Sequence, residues 1–142
     1  MVLTKRLQNV PGVLPPVVRP GVEHSYWQYA IFLNRPVISA SVYDFGDALK
    51  AEGIPCLPGY TRQPMYNYPV FRERRFYGHS DYPYGCSGVD RKPEYRPGLC
   101  PNTEKILQDV IVLPWNERYR PEDVEDIARG LEKVATYFSQ EP

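Results

Sequence analysis

The sequence predicts an α+β domain: a small, mainly antiparallel sheet covered by helices on one face. Three stretches carry this prediction. Val22 to Leu33 alternates, with Trp27, Tyr29, Ile31 and Leu33 on one face and His24, Tyr26, Gln28, Ala30 and Phe32 on the other. Val110 to Leu113 is a compact apolar strand ended by Pro114. Pro121 opens a helix with Glu122 and Asp123 at its positive end, and Val124, Ile127, Leu131, Val134 and Phe138 form its apolar stripe. Strands and helices of this mixture pack as a sheet with helices segregated to one side.

The remaining elements fit around these. Leu3, Leu7 and Val10 keep helical spacing until Pro11-Gly12 stops them, so residues 1–12 read as the end of a helix. The prolines at 15, 16 and 20 make the next stretch an extended connector. Ser41 is the expected N-cap of a helix near 42–52, with Val42, Phe45 and Leu49 inward and Gly53 as its stop. Residues 54–57 read as a short strand returning to the sheet. Past Pro101, Asn102 or Thr103 is the expected cap of a short helix ending at Leu107. The expected sheet is therefore 22–33, 54–57 and 110–113, under helices near 42–52 and 121–138. The second face of the first strand is aromatic enough to predict a covering layer, and His24 on that face reads as a hydrogen-bonded histidine at a contact.

Composition excludes several function classes. The 142 residues carry a formal net charge of zero, which gives no global argument for nucleic acid or a membrane surface. No apolar run approaches the roughly 18 residues of a spanning helix, and the first residues lack a signal-peptide core, so a cytoplasmic protein is expected. Cys56, Cys86 and Cys100 form an odd set without CxxC spacing, which fits free thiols, with Cys56 in the core. His79, Cys86 and Cys100 lack the spacing of a zinc knuckle, and no metal site is expected.

The stretch 60–100 shows neither helical nor strand periodicity and far exceeds the usual loop of roughly 4–6 residues. Its tyrosines and phenylalanines argue against disorder. Its arginines, Arg62, Arg72, Arg74, Arg75, Arg91 and Arg96, stand among tyrosines as they do where proteins stack bases, but Glu73, Asp81, Asp90 and Glu94 offset much of that charge. A stand-alone module that holds a protein partner on its aromatic loop is the alternative reading.

Within this stretch, Gly59 to Phe71 reads Gly-Tyr-Thr-Arg-Gln-Pro-Met-Tyr-Asn-Tyr-Pro-Val-Phe. With His24-Ser-Tyr-Trp-Gln-Tyr, Phe45 to Ile54, Val112-Leu-Pro114 and Glu122 to Ile127 in order around it, the chain resembles the C-terminal domain of the DegT/StrS family of pyridoxal-phosphate (PLP)-dependent sugar and aminocyclitol aminotransferases. Gly59 stands where many sugar aminotransferases of the family have histidine, and Pro64 to Phe71 is similar to the aminocyclitol branch, whose members act on inosose-like ketones.

The resemblance implies a small domain at 13–142 with a long Tyr/Arg/Pro-rich loop at 60–100, after the end of an interdomain helix at 1–12. It implies a transaminase acting on a keto sugar or keto cyclitol, and substrate contacts at Tyr60, Tyr66 and Arg62. Tyrosine suits a polyhydroxylated ring through its apolar face and hydroxyl, and arginine suits a carboxylate or phosphate. PLP needs a lysine amine and an acidic partner at its ring nitrogen. Lys5, Lys50, Lys105 and Lys133 fall on expected helices and Lys92 in the loop, none at a position resembling the family's. No catalytic or cofactor-binding residue is therefore expected in this chain. The resemblance assigns PLP to a large domain absent here, implies a homodimer, and implies that the piece alone is inactive. The loop from Thr61 to Leu99 is expected to be ordered mainly by contacts with another copy or not ordered at all.

Overall fold

In the computed structural model, residues 2–80, 82–86, 88 and 94–140 are described, and they fall into two units. The first unit comprises Met1–Tyr60 and Gln108–Pro142. Its sheet has four antiparallel strands in the order β1-β2-β4-β3, where β1 is Val13–Leu14, β2 Gln28–Leu33, β3 Leu57–Pro58 and β4 Val110–Pro114. The three expected strands share one sheet, and the α+β architecture is the one expected.

Alternation places Tyr29, Ile31 and Leu33 of β2 in the core opposite Leu113, Ile111 and Val13. The helices supply the other half of that core. Helix α1 (Val2–Leu7) contributes Leu3 and Leu7, α2 (Val42–Ala51) contributes Phe45 and Leu49, and α5 (Pro121–Gln140) contributes Ile127, Leu131 and Val134. The Ser41 hydroxyl accepts the Asp44 amide at 3.1 Å, as a cap does, and the Arg120 amide donates to Asp123 at 2.8 Å at the start of α5.

Four expectations for the first unit need correction. The strand expected from residue 22 begins at Gln28, because Tyr26 sits at φ 52° and its amide donates to His24 Nδ1 at 2.8 Å instead of a neighbouring strand. Trp27 is consequently 77% exposed and not on the core face. The strand expected at 54–57 pairs only at Leu57–Pro58, since Pro55 offers no amide to a ladder; Ile54 and Cys56 are buried all the same. The connector begins with a pairing segment, β1, admitted by Gly12 at φ 77°, whose carbonyl accepts the Asn34 amide at 2.9 Å. A Cβ at Gly12 would lie 2.4 Å from Ile38 Cγ1, so both space and backbone require glycine there.

The turn between β2 and α2 is fastened by Arg35. Its guanidinium donates to Asp109 Oδ1 at 2.6 Å, to the Ala40 carbonyl at 2.5 Å, and to the Gln108 carbonyl. One side chain thus ties the end of β2 to the residues just ahead of β4.

The second unit, Thr61–Leu107, holds the stretch whose sequence shows no periodicity. It contains a 3₁₀ turn at Met65–Asn67, a single-turn helix α3 at Pro69–Arg72 and most of α4 (Pro101–Asp109). Pro101 is the first residue of α4, with the Glu104 amide bonded to the Cys100 carbonyl at 3.1 Å, so Asn102 and Thr103 lie inside the helix and do not cap it. The aromatic residues pack on each other: Phe71 meets Phe76 and Tyr95 edge-on at 5.4 and 5.7 Å, and the Tyr84 and Tyr95 hydroxyls are 2.9 Å apart.

Candidate functional site

Two of the three sequence-selected residues follow tight backbone. Gly59, at φ 66°, donates its amide to Val110 O at 2.9 Å, and Tyr60, 44% exposed, follows at φ 49°. Arg62 stands at φ 65° and is exposed. Left-handed conformations at two non-glycine residues so close together cost about 1–3 kcal/mol each and concentrate at functional segments. Tyr60 closes the first unit, whereas Arg62 and Tyr66 belong to the second.

Tyr66 differs from both. It is buried on the 3₁₀ turn, and its hydroxyl donates to Glu104 Oε1 at 2.5 Å while accepting the Cys100 amide at 3.3 Å. Burial pushes the phenol above its ordinary value, and the Glu104 bond pushes it further. Glu104 moves the other way: the bond from Tyr66 and then the Gly98 amide, at 2.6 Å, hold its carboxyl below the usual range. The proton therefore stays on the phenol and the charge on the carboxylate. No hydrogen bond joins Arg62 to Tyr66 among the described residues.

Other polar groups nearby are also committed. The Tyr68 hydroxyl donates to Thr61 O at 2.8 Å, and the Thr61 hydroxyl to Gln63 O at 3.1 Å. The exception is Asn67 Oδ1, which is closed to solvent and lacks a hydrogen-bond donor among the described residues. Glu104 and Asn67 were not selected from sequence. An acid in the first turn of a helix reads as dipole-favoured, and nothing in its spacing announces a tyrosine partner far back in the chain.

Lys5, Lys50, Lys105 and Lys133 are exposed on α1, α2, α4 and α5, with Lys50 paired to Asp47 at 2.9 Å and Lys133 to Glu52 at 2.8 Å. Lys92 lies outside the described residues. All three cysteines are free, and no group of three or more His, Cys, Asp or Glu is placed to hold a metal among the described residues. No helix among them is long and apolar enough to cross a membrane.

No family model matches the chain, and no curated protein matches it. Solved structures do. The chain is similar to a DegT/DnrJ/EryC1/StrS aminotransferase from Brucella abortus, with a TM-score of 0.64 and 18% identity, over 99% of this chain and 29% of that one. It is similar to DesV of S. venezuelae, solved in complex with a ketimine intermediate, with a TM-score of 0.65 and 16% identity over 94% of this chain and 29% of that one. DesI, solved in the presence of its TDP-sugar product, matches with a TM-score of 0.60 and 18% identity over 94% of this chain and 29% of that one. The chain thus spans less than a third of the length of these aminotransferases, and at these identities the likeness is one of fold.

Proposed function

We propose that the chain serves as the C-terminal domain of a PLP-dependent transaminase that moves an amino group from an amino acid to a keto sugar or an inosose-like keto cyclitol. The observation that carries this reading is the match of nearly the whole chain to one part of sugar-aminotransferase structures. In this reading residues 1–12 end an interdomain helix, residues 13–142 form the small domain, and the 60–100 loop presents Tyr60, Arg62 and Tyr66 to substrate. Tyr60 and Arg62 support it through their exposure and their left-handed backbone.

The exposure of Lys5, Lys50, Lys105 and Lys133 on separate helices supports placing the cofactor outside this chain. We assign the cofactor to a larger domain, and the working form to a cytoplasmic homodimer. The test is expression from the complete reading frame, followed by measurement of amino transfer to an inosose and to a nucleotide-linked keto sugar. Transfer to either is expected, and a Tyr60→Phe variant should lose about 1–3 kcal/mol in kcat/KM. Absence of transfer to both ketones refutes the activity. The 142-residue chain alone should show no borohydride-fixed PLP adduct, and a specific adduct on any one lysine would overturn the assignment of the cofactor elsewhere.

A further inference from the structure

Tyr26 packs on the buried Tyr29 only because the chain takes an unusual turn just before β2. Its φ is 52°, a left-handed conformation that a bulky residue seldom adopts, and its amide donates to His24 Nδ1 at 2.8 Å. The His24 ring stacks on the Tyr26 ring at 4.3 Å, and Tyr29 in turn meets Tyr26 at 5.4 Å and Trp115 at 5.6 Å. Trp27, the next residue, is left 77% exposed. An imidazole nitrogen that accepts an amide carries no proton, so this arrangement requires a neutral His24 with its proton on Nε2. A second arrangement is written into the sheet. The register that sets Gln28 against Pro114 and Tyr29 against Leu113, carried two residues further, would set Trp27 against Trp115 and Tyr26 against Asn116. Strand alternation would then bring Trp27 to the face that carries Tyr29 and turn Tyr26 off it.

We propose that His24 is a proton-sensitive latch that decides whether Tyr26 or Trp27 packs on Tyr29. With His24 neutral, the captured amide holds the left-handed turn and Tyr26 lies inward. A second proton on the ring turns Nδ1 into a donor that cannot accept the amide, and the turn loses the bond that offsets its backbone cost. β2 then lengthens by two residues and Trp27 moves inward. No ladder bond replaces the lost one at Tyr26. Gly59 donates to Val110 O from the β3 side, so the even-numbered residues of β4 bond toward β3, and Asn116 continues that even set. No carboxylate pairs with His24 among the described residues. The charged groups on the segments packed around this corner are Glu23 beside it, Lys5 of α1, which lines a hollow with Tyr26, and Glu117, Arg118 and Arg120 around Tyr119, all of them exposed.

The latch is tested on the ¹⁵N-labelled 142-residue chain, taken from about pH 8 to about pH 5, the range in which an imidazole changes charge. Ring ¹⁵N shifts should place the proton of neutral His24 on Nε2. As that ring takes its second proton, the protection factor of the Tyr26 amide, referred to the free peptide at each pH, should fall roughly three- to tenfold, the size of one net hydrogen bond. The Trp27 indole should become less open to a soluble paramagnetic probe over the same range. His24→Asn supplies an oxygen that accepts the same amide two residues on but does not titrate, so Tyr26 should stay protected and Trp27 open throughout. His24→Ala should show the low protection at every pH. His79→Asn, which removes the other histidine, should leave the wild-type profile unchanged. A neutral ring protonated at Nδ1, Tyr26 protection that stays flat while His24 titrates, or an equal loss in His24→Asn each overturns the latch. Loss of Tyr26 protection with Trp27 still open to the probe overturns the exchange of the two rings, and the proposal with it.

Discussion

Replacing Gly46 by alanine sets two known effects against each other. Gly46 lies inside α2, where alanine is favoured by about 1 kcal/mol. A Cβ there would lie 2.8 Å from Pro58 Cγ and 2.9 Å from Pro58 Cβ. The proline ring cannot swing aside, and its backbone is held by pairing with Ile111 and by the Gly59 amide on Val110 O at 2.9 Å. Overpacking of this kind costs about 1–3 kcal/mol, so Gly46→Ala should be destabilised by up to about 2 kcal/mol. Gly130 in α5 is the control. Its Cβ would come to 2.3 Å from Ile54 Cδ1, a nominally worse clash, but that atom ends a rotatable side chain. Moving Ile54 off its rotamer costs about 0.5–1.5 kcal/mol, which the helix propensity of alanine nearly offsets. Urea unfolding of both variants, read as midpoint and slope, should place Gly130→Ala close to wild type and Gly46→Ala clearly below it. If Gly46→Ala is the more stable of the two, the contact between α2 and β3 is softer than the geometry indicates and the reasoning fails.

Three further outcomes are expected. Arg35→Met should lower stability by about 2 kcal/mol, because it leaves Asp109 and the Ala40 and Gln108 carbonyls without their shared donor; Arg35→Lys should recover only part of this, and urea unfolding measures both. Tyr29, buried and paired with the Thr4 hydroxyl at 2.9 Å, has its phenol pushed up from 10.0 to about 12, chiefly by burial. The unfolded chain therefore releases this proton first, so stability should fall as pH rises from 10 toward 12, and Tyr29→Phe should flatten that part of the profile; equal slopes in both proteins would contradict it. Asn67→Leu removes an acceptor that has no donor among the described residues and should raise the midpoint of thermal unfolding, whereas a lower midpoint would mean that a partner satisfies it.

The core was legible wherever one face of an element is buried and the other is not. Tyr29, Ile31 and Leu33, the pair Leu3 and Leu7, and the stripe of α5 follow from periods of two and 3.6, and the structure buries all of them except Val124 and Phe138, which pack half-buried against the core. What period cannot show is local bonding. The strand starts late because the His24 side chain captures the Tyr26 amide, and β1 is too short, and too close to prolines, to present a pattern. The candidate site behaved similarly. Residue type drew attention to the tyrosines, but their bonding depends on partners distant in sequence, so the difference between exposed Tyr60 and clasped Tyr66 became visible only in three dimensions.

The strand order also dictates a timetable. β4, near the end of the chain, lies between β2 and β3, and its Leu113 and Ile111 stand opposite Tyr29 and Ile31. During synthesis α1, β1, β2, α2 and β3 emerge before β4, yet β2 and β3 are joined in the sheet only through β4. The apolar edge of β2 must therefore wait, exposed, while the whole of Thr61–Leu107 is made. Such non-local pairing slows folding and invites association through the waiting edge. A nascent chain arrested just before Val110 should accordingly be protected by chaperones or lost to aggregates, and the same chain released after α5 should resist proteolysis.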